Sequence, residues 1–328
     1  MPKPIAFITR PLPTAAVTAI SKYATVRLRK TDSIIPRKDL LAGAKACDIL
    51  IPILTDPIDE AVMAAAPRLK LIANYGAGYN NVDVAAATRR GIPVTNTPDV
   101  LTETTAELTV ALMLAVSRRL VETDHIMRSK QYPGWGPLLY LGHGISGKTL
   151  GVIGMGRIGT RVAEIAHHGF GMRVLYYTKH KEREVELSLG AQKVSLSTLL
   201  KKSDVVTLHV PLVKDTRHLI GKKELQMMKS SAYLINTSRG PVVDEAALVQ
   251  ALRRQLIAGA GLDVYEHEPN MAPGLAKQWN AVLLPHIGSA TIETRTAMAM
   301  VVAKNVQAFV HGRHLPNCIN PPHVTAFS

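Results

Sequence analysis

Three reactive side chains stand just beyond apolar runs that read as buried strands. Arg239 follows the run ending at Asn236, in Asn-Thr-Ser-Arg-Gly. Glu268 lies past the run ending at Val264, in Asp263-Val-Tyr-Glu-His-Glu-Pro269, and His286 follows the run ending at Leu284, in Pro-His-Ile-Gly-Ser-Ala. In open α/β sheets ligands bind outside the carboxyl ends of the strands, so the three can surround one cleft. Their types suit reversible hydride transfer at a carbonyl. A guanidinium holds a carboxylate and polarises the adjacent carbonyl. An imidazole protonates the oxygen as hydride arrives from a nicotinamide. A carboxylate beside an imidazole favours its charged form and orients the ring. Each residue taken singly is more often a surface or satisfied core group. The set, on three strand ends, points to catalysis.

A dinucleotide site is expected at the same edge. The fingerprint Gly154-Met155-Gly156-Arg157-Ile158-Gly159 follows an apolar run, Thr149 to Ile153, and opens a pattern with Val162, Ile165 and Ala166 on one helical face. That strand-before, helix-after context is what the G-x-G-x-x-G signal requires. Gly154 permits the tight turn, Gly156 lets backbone approach a pyrophosphate, and Gly159 lets helix and strand pack closely. The free N–H groups of the helix start receive the anion. The cofactor choice is read at the end of the next strand, where an NAD enzyme places Asp or Glu on the ribose 2′-hydroxyl. Here Val174–Tyr177 is followed by Thr178-Lys179-His180-Lys181. The acid is missing and cations replace it, so NADP(H) is expected, with NAD accepted if the loop is merely solvated.

Other candidates carry less. In Tyr75-Gly76-Ala77-Gly78-Tyr79-Asn80-Asn81 two glycines flank a small residue at a strand end, which makes either a backbone nest for a carboxylate or a plain turn. His209 is read as lining the adenine side or the core, His267 as solvated, and His167-His168 as the cationic end of a helix. Asp244-Glu245 mark a helix start. Trp135 is either a core anchor or a side chain reaching a ligand. No His/Cys/Asp cluster has metal-ligand spacing, so no metal is expected.

The elements that must position these groups fall into two β-α-β series. The first runs from residue 5 to about 99, with strands near Ile5–Thr9, Val26–Leu28, Asp48–Leu54, Leu71–Asn74 and Ile92–Asn96. Asn96-Thr97-Pro98-Asp99 is punctuated as a linker. A long apolar helix from Thr104 to Leu120 is expected next, with Thr104 and Glu107 as its capping box. The second series begins at Leu150. The last helix, from Thr291 to about Val310, and the tail 315–328 are expected to return to the first series. Thus residues 1–99 with 291–328 form one α/β domain and 100–290 the dinucleotide-binding domain.

Composition sets the class. The 328 residues are 47% hydrophobic and 20% charged, as in globular proteins, with two distant cysteines, Cys47 and Cys318. That fits a reducing cytoplasm without disulfides, and no segment reads as a signal or membrane span. The net charge of +14 comes from scattered residues, so a surface that favours anionic ligands is expected, and no nucleic-acid partner.

These residues resemble the D-isomer-specific 2-hydroxyacid dehydrogenase family, most closely its glyoxylate/hydroxypyruvate reductases. The resemblance covers nearly the whole chain and rests on Asn74–Asp83, Pro98–Leu108, Leu150–Gly159, His209–Leu212, Asn236–Gly240, Gly261–Pro269 and Pro285–Thr291. It implies two doubly wound parallel-sheet domains, flavodoxin-like for substrate and Rossmann-like for nucleotide, and a homodimer. It implies Arg239 as substrate binder, His286 as acid/base and Glu268 as its carboxylate partner. Ala77 and Gly78 would hold the substrate carboxylate through their N–H groups. Asp263 would support the nicotinamide. Thr105, Gly154–Gly159, Thr178–His180, Pro211, Thr216, Thr237, Ser238, Arg239, His286 and Gly288 would contact the cofactor, and Trp135 would narrow the partner's site.

Two departures stand out. The family usually carries a residue larger than Ala77 and an Asp at Asn80, and its NADP-using members commonly have an Arg within 178–180. The expected activity is reduction of glyoxylate or hydroxypyruvate to the D-hydroxy acid. The rivals are an NAD-dependent member such as phosphoglycerate dehydrogenase and a corepressor-like nucleotide sensor. The chain length, without a regulatory extension, and the missing acid argue against the first; Arg239, Glu268 and His286 argue against the second.

Overall fold

The computed structural model describes residues 2–321. The chain divides into two compact units, Met1–Leu101 with Ala290–Ser328, and Thr102–Ser289.

In the first unit the chain runs β1 (Ile5–Ile8), α1 (Thr14–Ser21), β2 (Thr25–Leu28), α2 (Arg37–Lys45), β3 (Ile49–Ile51), α3 (Glu60–Ala64), β4 (Leu71–Ala73), α4 (Val84–Arg89) and β5 (Val94–Thr95). Every strand pairing is parallel, in the order β2-β1-β3-β4-β5, which is the flavodoxin-like winding. β3 and β4 are buried at every residue, as strands covered by helices on both faces must be. Local chemistry starts two of the helices. The Asp59 carboxylate accepts the Val62 N–H and that of Asp83 accepts the Ala86 N–H.

The second unit contains α5 (Thr102–Ser117), α6 (Leu120–Arg128), β6 (Thr149–Ile153), α7 (Arg157–Phe170), β7 (Arg173–Tyr177), α8 (Arg183–Leu189), β8 (Gln192–Lys193), α9 (Leu196–Lys202), β9 (Val205–Leu208), α10 (Lys222–Met227), β10 (Tyr233–Asn236), α11 (Glu245–Arg253), β11 (Gly259–Leu262) and β12 (Ala281–Leu283). Its sheet is parallel throughout, in the order β12-β11-β10-β9-β6-β7-β8. The chain reverses direction across the sheet between β6 and β9, the switch point where Rossmann-type sheets take ligands. β11 is small because α5 lies against it: a Cβ on Gly261 would sit 3.1 Å from the Leu112 Cβ. The final helix, α12 (Ile292–Val310), packs on α1 and β4 of the first unit. Of the tail, 322–328 lie outside the described residues.

The expected helix from Thr104 to Leu120 is corrected at both ends. It starts at Thr102, which places Thr104 inside the first turn, and Glu107 is exposed rather than closing a capping box. It stops at Ser117 because Arg119 turns left-handed (φ 57°), its guanidinium gripped by Glu122 at 2.6 and 2.8 Å, and α6 begins. Side-chain pairing across the break gave no periodicity signal. No helix among the described residues is long and apolar enough to cross a membrane.

Candidate active site

The carboxyl ends of β6, β7, β9, β10, β11 and β12 all lie on one edge of the second unit's sheet, because every pairing is parallel. The residues following these strands are described in that order.

After β6 the backbone turns through Gly154 at φ 94°, where a Cβ would stand 2.7 Å from the His209 carbonyl oxygen. Gly159 is needed for a different reason: its Cβ would lie 2.1 Å from the Gly154 oxygen. At Gly156 a Cβ would meet nothing within 4 Å, so this face of the turn is open in front of the first amides of α7. That cradle fits a pyrophosphate. After β7, Thr178, Lys179 and His180 carry no carboxylate, and Lys179 Nζ stands 3.4 Å from Asp215 with both side chains exposed. Beyond β9, burial pushes His209 down to about 3, so its ring is neutral, with Nε2 2.9 Å from Thr207 Oγ1. Thr216 Oγ1 donates to the Pro211 carbonyl at 2.6 Å and closes the loop between them.

The turn after β10 is built by Asn236. Its Oδ1 accepts the Ser238 N–H (3.0 Å) and hydroxyl (2.8 Å), while its Nδ2 donates to the Arg239 carbonyl (3.0 Å). Thr237 Oγ1 lies 2.9 Å from Thr109 Oγ1 on α5. Gly240 presses on the backbone after β11, since a Cβ there would fall on the Tyr265 carbonyl. That contact draws the Arg239 turn against the loop carrying Glu268. Burial pulls the Arg239 guanidinium below its ordinary value, and the charge of Glu268 opposes the shift.

Glu268 and His286 form a pair. Glu268 Oε1 accepts the Tyr265 N–H at 3.0 Å and Oε2 lies 2.8 Å from His286 Nδ1. Burial raises the Glu268 pKa, but the His286 bond and charge, the Tyr265 N–H and Arg239 outweigh it, holding the carboxyl below its ordinary range. An ionised carboxylate only accepts, so His286 Nδ1 is the donor and Nε2 is left to exchange a proton. His286 is held at φ 55°, a conformation non-glycine residues rarely adopt. The clamp is Asp263, fully buried, whose two oxygens accept the N–H groups of Ile287 and Gly288, each at 2.7 Å. Burial raises the Asp263 pKa against the pull of those amides and of His286. Thr105 Oγ1 donates to the Gly288 carbonyl at 3.1 Å and fixes the same loop from α5.

Residues 110–288 match the family described as D-isomer specific 2-hydroxyacid dehydrogenase, NAD binding domain. The chain is 50% identical over 328 residues to a glyoxylate reductase of Thermococcus litoralis, covering 99% of each. The chain belongs to the D-isomer-specific 2-hydroxyacid dehydrogenases. Among solved structures it resembles an NADPH-dependent glyoxylate/hydroxypyruvate reductase of Sinorhizobium meliloti in complex with NADP and malonate (TM-score 0.85, 31% identity, 98% of each chain covered). It also resembles a D-lactate dehydrogenase of Aquifex aeolicus complexed with NAD and lactic acid (TM-score 0.85, 31% identity, 97% of this chain and 99% of that one).

In this 2-hydroxyacid dehydrogenase the sheet edge gathers most of the residues singled out from the sequence. Ala77 and Gly78 belong to the first unit, in the turn after β4. Trp135 is 85% exposed, which removes the core-anchor reading. Sequence reasoning missed Asn236 as the builder of the Arg239 turn, although an Asn opening Asn-Thr-Ser-Arg-Gly is a side-chain-to-backbone turn signal. It also missed the grip of Asp263 on the His286 loop, for which spacing offers no sign.

Proposed function

We propose that the protein reduces small 2-oxo acids, glyoxylate first and hydroxypyruvate next, to D-2-hydroxy acids, and prefers NADPH. The observation that carries this reading is the 2.8 Å pair of His286 and Glu268 on the sheet edge that holds the glycine turn and Arg239. A bound nicotinamide cofactor would supply the hydride to the oxo carbon. Gly154–Gly159 and the first amides of α7 hold its pyrophosphate, with Met155, Arg157 and Ile158 in the same turn. Thr105, Pro211, Thr216, Thr237, Ser238, Asp263 and Gly288 line its path. Arg239 and the N–H groups of Ala77 and Gly78 take the substrate carboxylate, and Arg239 also draws electrons from the adjacent carbonyl. His286 Nε2 gives its proton to the carbonyl oxygen as the carbon gains hydride. Glu268 keeps the imidazole oriented through its bond to Nδ1. The products are the hydroxy acid and the oxidised cofactor, with His286 left neutral.

NADPH preference rests on Thr178-Lys179-His180 in place of an acid. The exposed Lys179–Asp215 pair is worth about 0–1 kcal/mol, too little to withhold the amine from a 2′-phosphate. The likeness to one NADP complex and one NAD complex leaves both cofactors chemically open to the fold. A homodimer is favoured by the apolar side chains exposed along 120–141, with Leu138 at 81%. Sedimentation giving twice the chain mass supports it; the chain mass alone removes it.

A panel of 2-oxo acids assayed with NADPH and NADH tests the reading. Glyoxylate and hydroxypyruvate reduction with a higher kcat/KM for NADPH is the expected result. No turnover of any 2-oxo acid with either cofactor contradicts it.

A further inference from the structure

Three consecutive carbonyls in the turn after β4 are tied down. Gly76 O accepts the Thr97 N–H at 3.0 Å, Ala77 O accepts Asn96 Nδ2 at 2.7 Å and Gly78 O accepts Asn74 Nδ2 at 3.0 Å. Within a trans peptide the C=O and the following N–H point opposite ways. Pinning these carbonyls therefore turns the N–H groups of Ala77, Gly78 and Tyr79 to the other side. None of the three has an acceptor among the described residues of this unit.

The pins are themselves held. Asn74 is fully buried, which is tolerable only with its amide bonded. Its Oδ1 accepts Asn81 Nδ2 at 3.0 Å, and Asn81 Nδ2 also reaches the Ile53 carbonyl at 3.0 Å and that of Asp56 at 3.3 Å. Asn96 is half-buried, with its backbone N–H on the Asn317 carbonyl at 3.3 Å. A carbonyl only accepts, so the Asn96 atom facing Ala77 is the donor.

We propose that Asn96, seconded by Asn74, is a positioning residue for the substrate carboxylate. It fixes the Ala77–Gly78 peptide with its N–H outward, and the inference rests on the carboxylate role assigned to Ala77 and Gly78 above. Without the Asn96 pin that peptide is free to rotate, because Gly78 adopts the alternative backbone angles at little cost. Rotation replaces a donor by a carbonyl oxygen facing an anion.

Asn96→Ala and Asn96→Asp test this, read as kcat and KM for glyoxylate, as the dissociation constant of oxamate (an unreactive 2-oxo-acid analogue) from the NADPH complex, as NADPH affinity and as Tm. Asn96→Ala raises KM and the oxamate constant about tenfold, the effect of losing one hydrogen bond to a charged group. Asn96→Asp raises both further, because its carboxylate repels the Ala77 carbonyl. The kcat, NADPH affinity and Tm stay near wild type. A merely structural role would reverse the order, since Asp is nearly isosteric with Asn and Ala is not. Unchanged KM, losses confined to kcat, the reversed order, or a variant that does not fold each overturns the proposal. Wild-type protein inactive on every 2-oxo acid removes the function reading and the proposal together. Active wild type with an unchanged variant KM removes the proposal alone.

Discussion

Each unit carries a glycine-bearing turn at the carboxyl end of a parallel strand, and the two turns present backbone N–H groups by opposite means. The turn after β6 does so with neighbours in sequence. Gly154 takes φ 94°, Gly159 lets the chain pass the Gly154 oxygen, and a 14-residue helix follows at once, with no side chain capping its start. The turn after β4 has no such helix: α4 begins only at Val84 and spans 6 residues. Its N–H groups are aimed by side-chain amides on Asn74 and Asn96, braced by Asn81. A locally built anion turn tolerates change in distant residues but almost none in its own glycines. A remotely braced turn has the reverse sensitivity.

Substitutions separate these cases, beginning with the largest expected effect. Gly159→Ala drives a Cβ to within 2.1 Å of the Gly154 oxygen, and either the helix or the turn must shift. NADPH affinity measured by fluorescence titration should fall about 100-fold, the scale of overpacking a fixed backbone site. Affinity within about threefold of wild type would show that the local turn is softer than its contacts indicate. The tenfold KM effect at Asn96 is the corresponding test on the other turn.

Glu268→Gln sharpens the contrast by removing a charge rather than a backbone donor. The ionised Glu268 carboxylate accepts the His286 Nδ1–H and sets the ring for proton transfer from Nε2. With a neutral amide in its place, kcat for glyoxylate should fall about tenfold while NADPH affinity stays near wild type. A kcat within about twofold of wild type would mean that the pair does not set the ring. In the native protein Glu268 is held below the ordinary carboxyl range, so the carboxylate remains an acceptor as pH falls through that range. Lys179→Asp should act least. It moves the NADPH/NADH ratio of kcat/KM by about fivefold towards NADH, because the side chain is exposed. An unchanged ratio would put cofactor choice elsewhere.

The contrast also explains what was legible in the amino-acid sequence. Both sheets were readable because their strands are short apolar runs punctuated by turns, and Gly154–Gly159 because the steric demands fall on adjacent residues. Arg239, Glu268 and His286 could be located from the strand ends alone. The ends of α5 were not: Arg119 stops the helix through a side-chain grip on Glu122, and an arginine carries no stop signal. Nor was the Asp263 clamp on Ile287 and Gly288, which joins residues 24 and 25 positions apart. The turn at Gly76–Gly78 could equally have been a plain bend, because what orients it lies on Asn96 of the next strand end.

In the proposed reaction His286, set by Glu268 and the Asp263 clamp, donates the proton that accompanies hydride transfer. The most direct measurement is single-turnover reduction of glyoxylate by His286→Ala, with NADPH affinity measured on the same sample. The expected result is a loss of about 10³-fold in rate with cofactor affinity unchanged. A rate within a few-fold of wild type would contradict proton donation by His286.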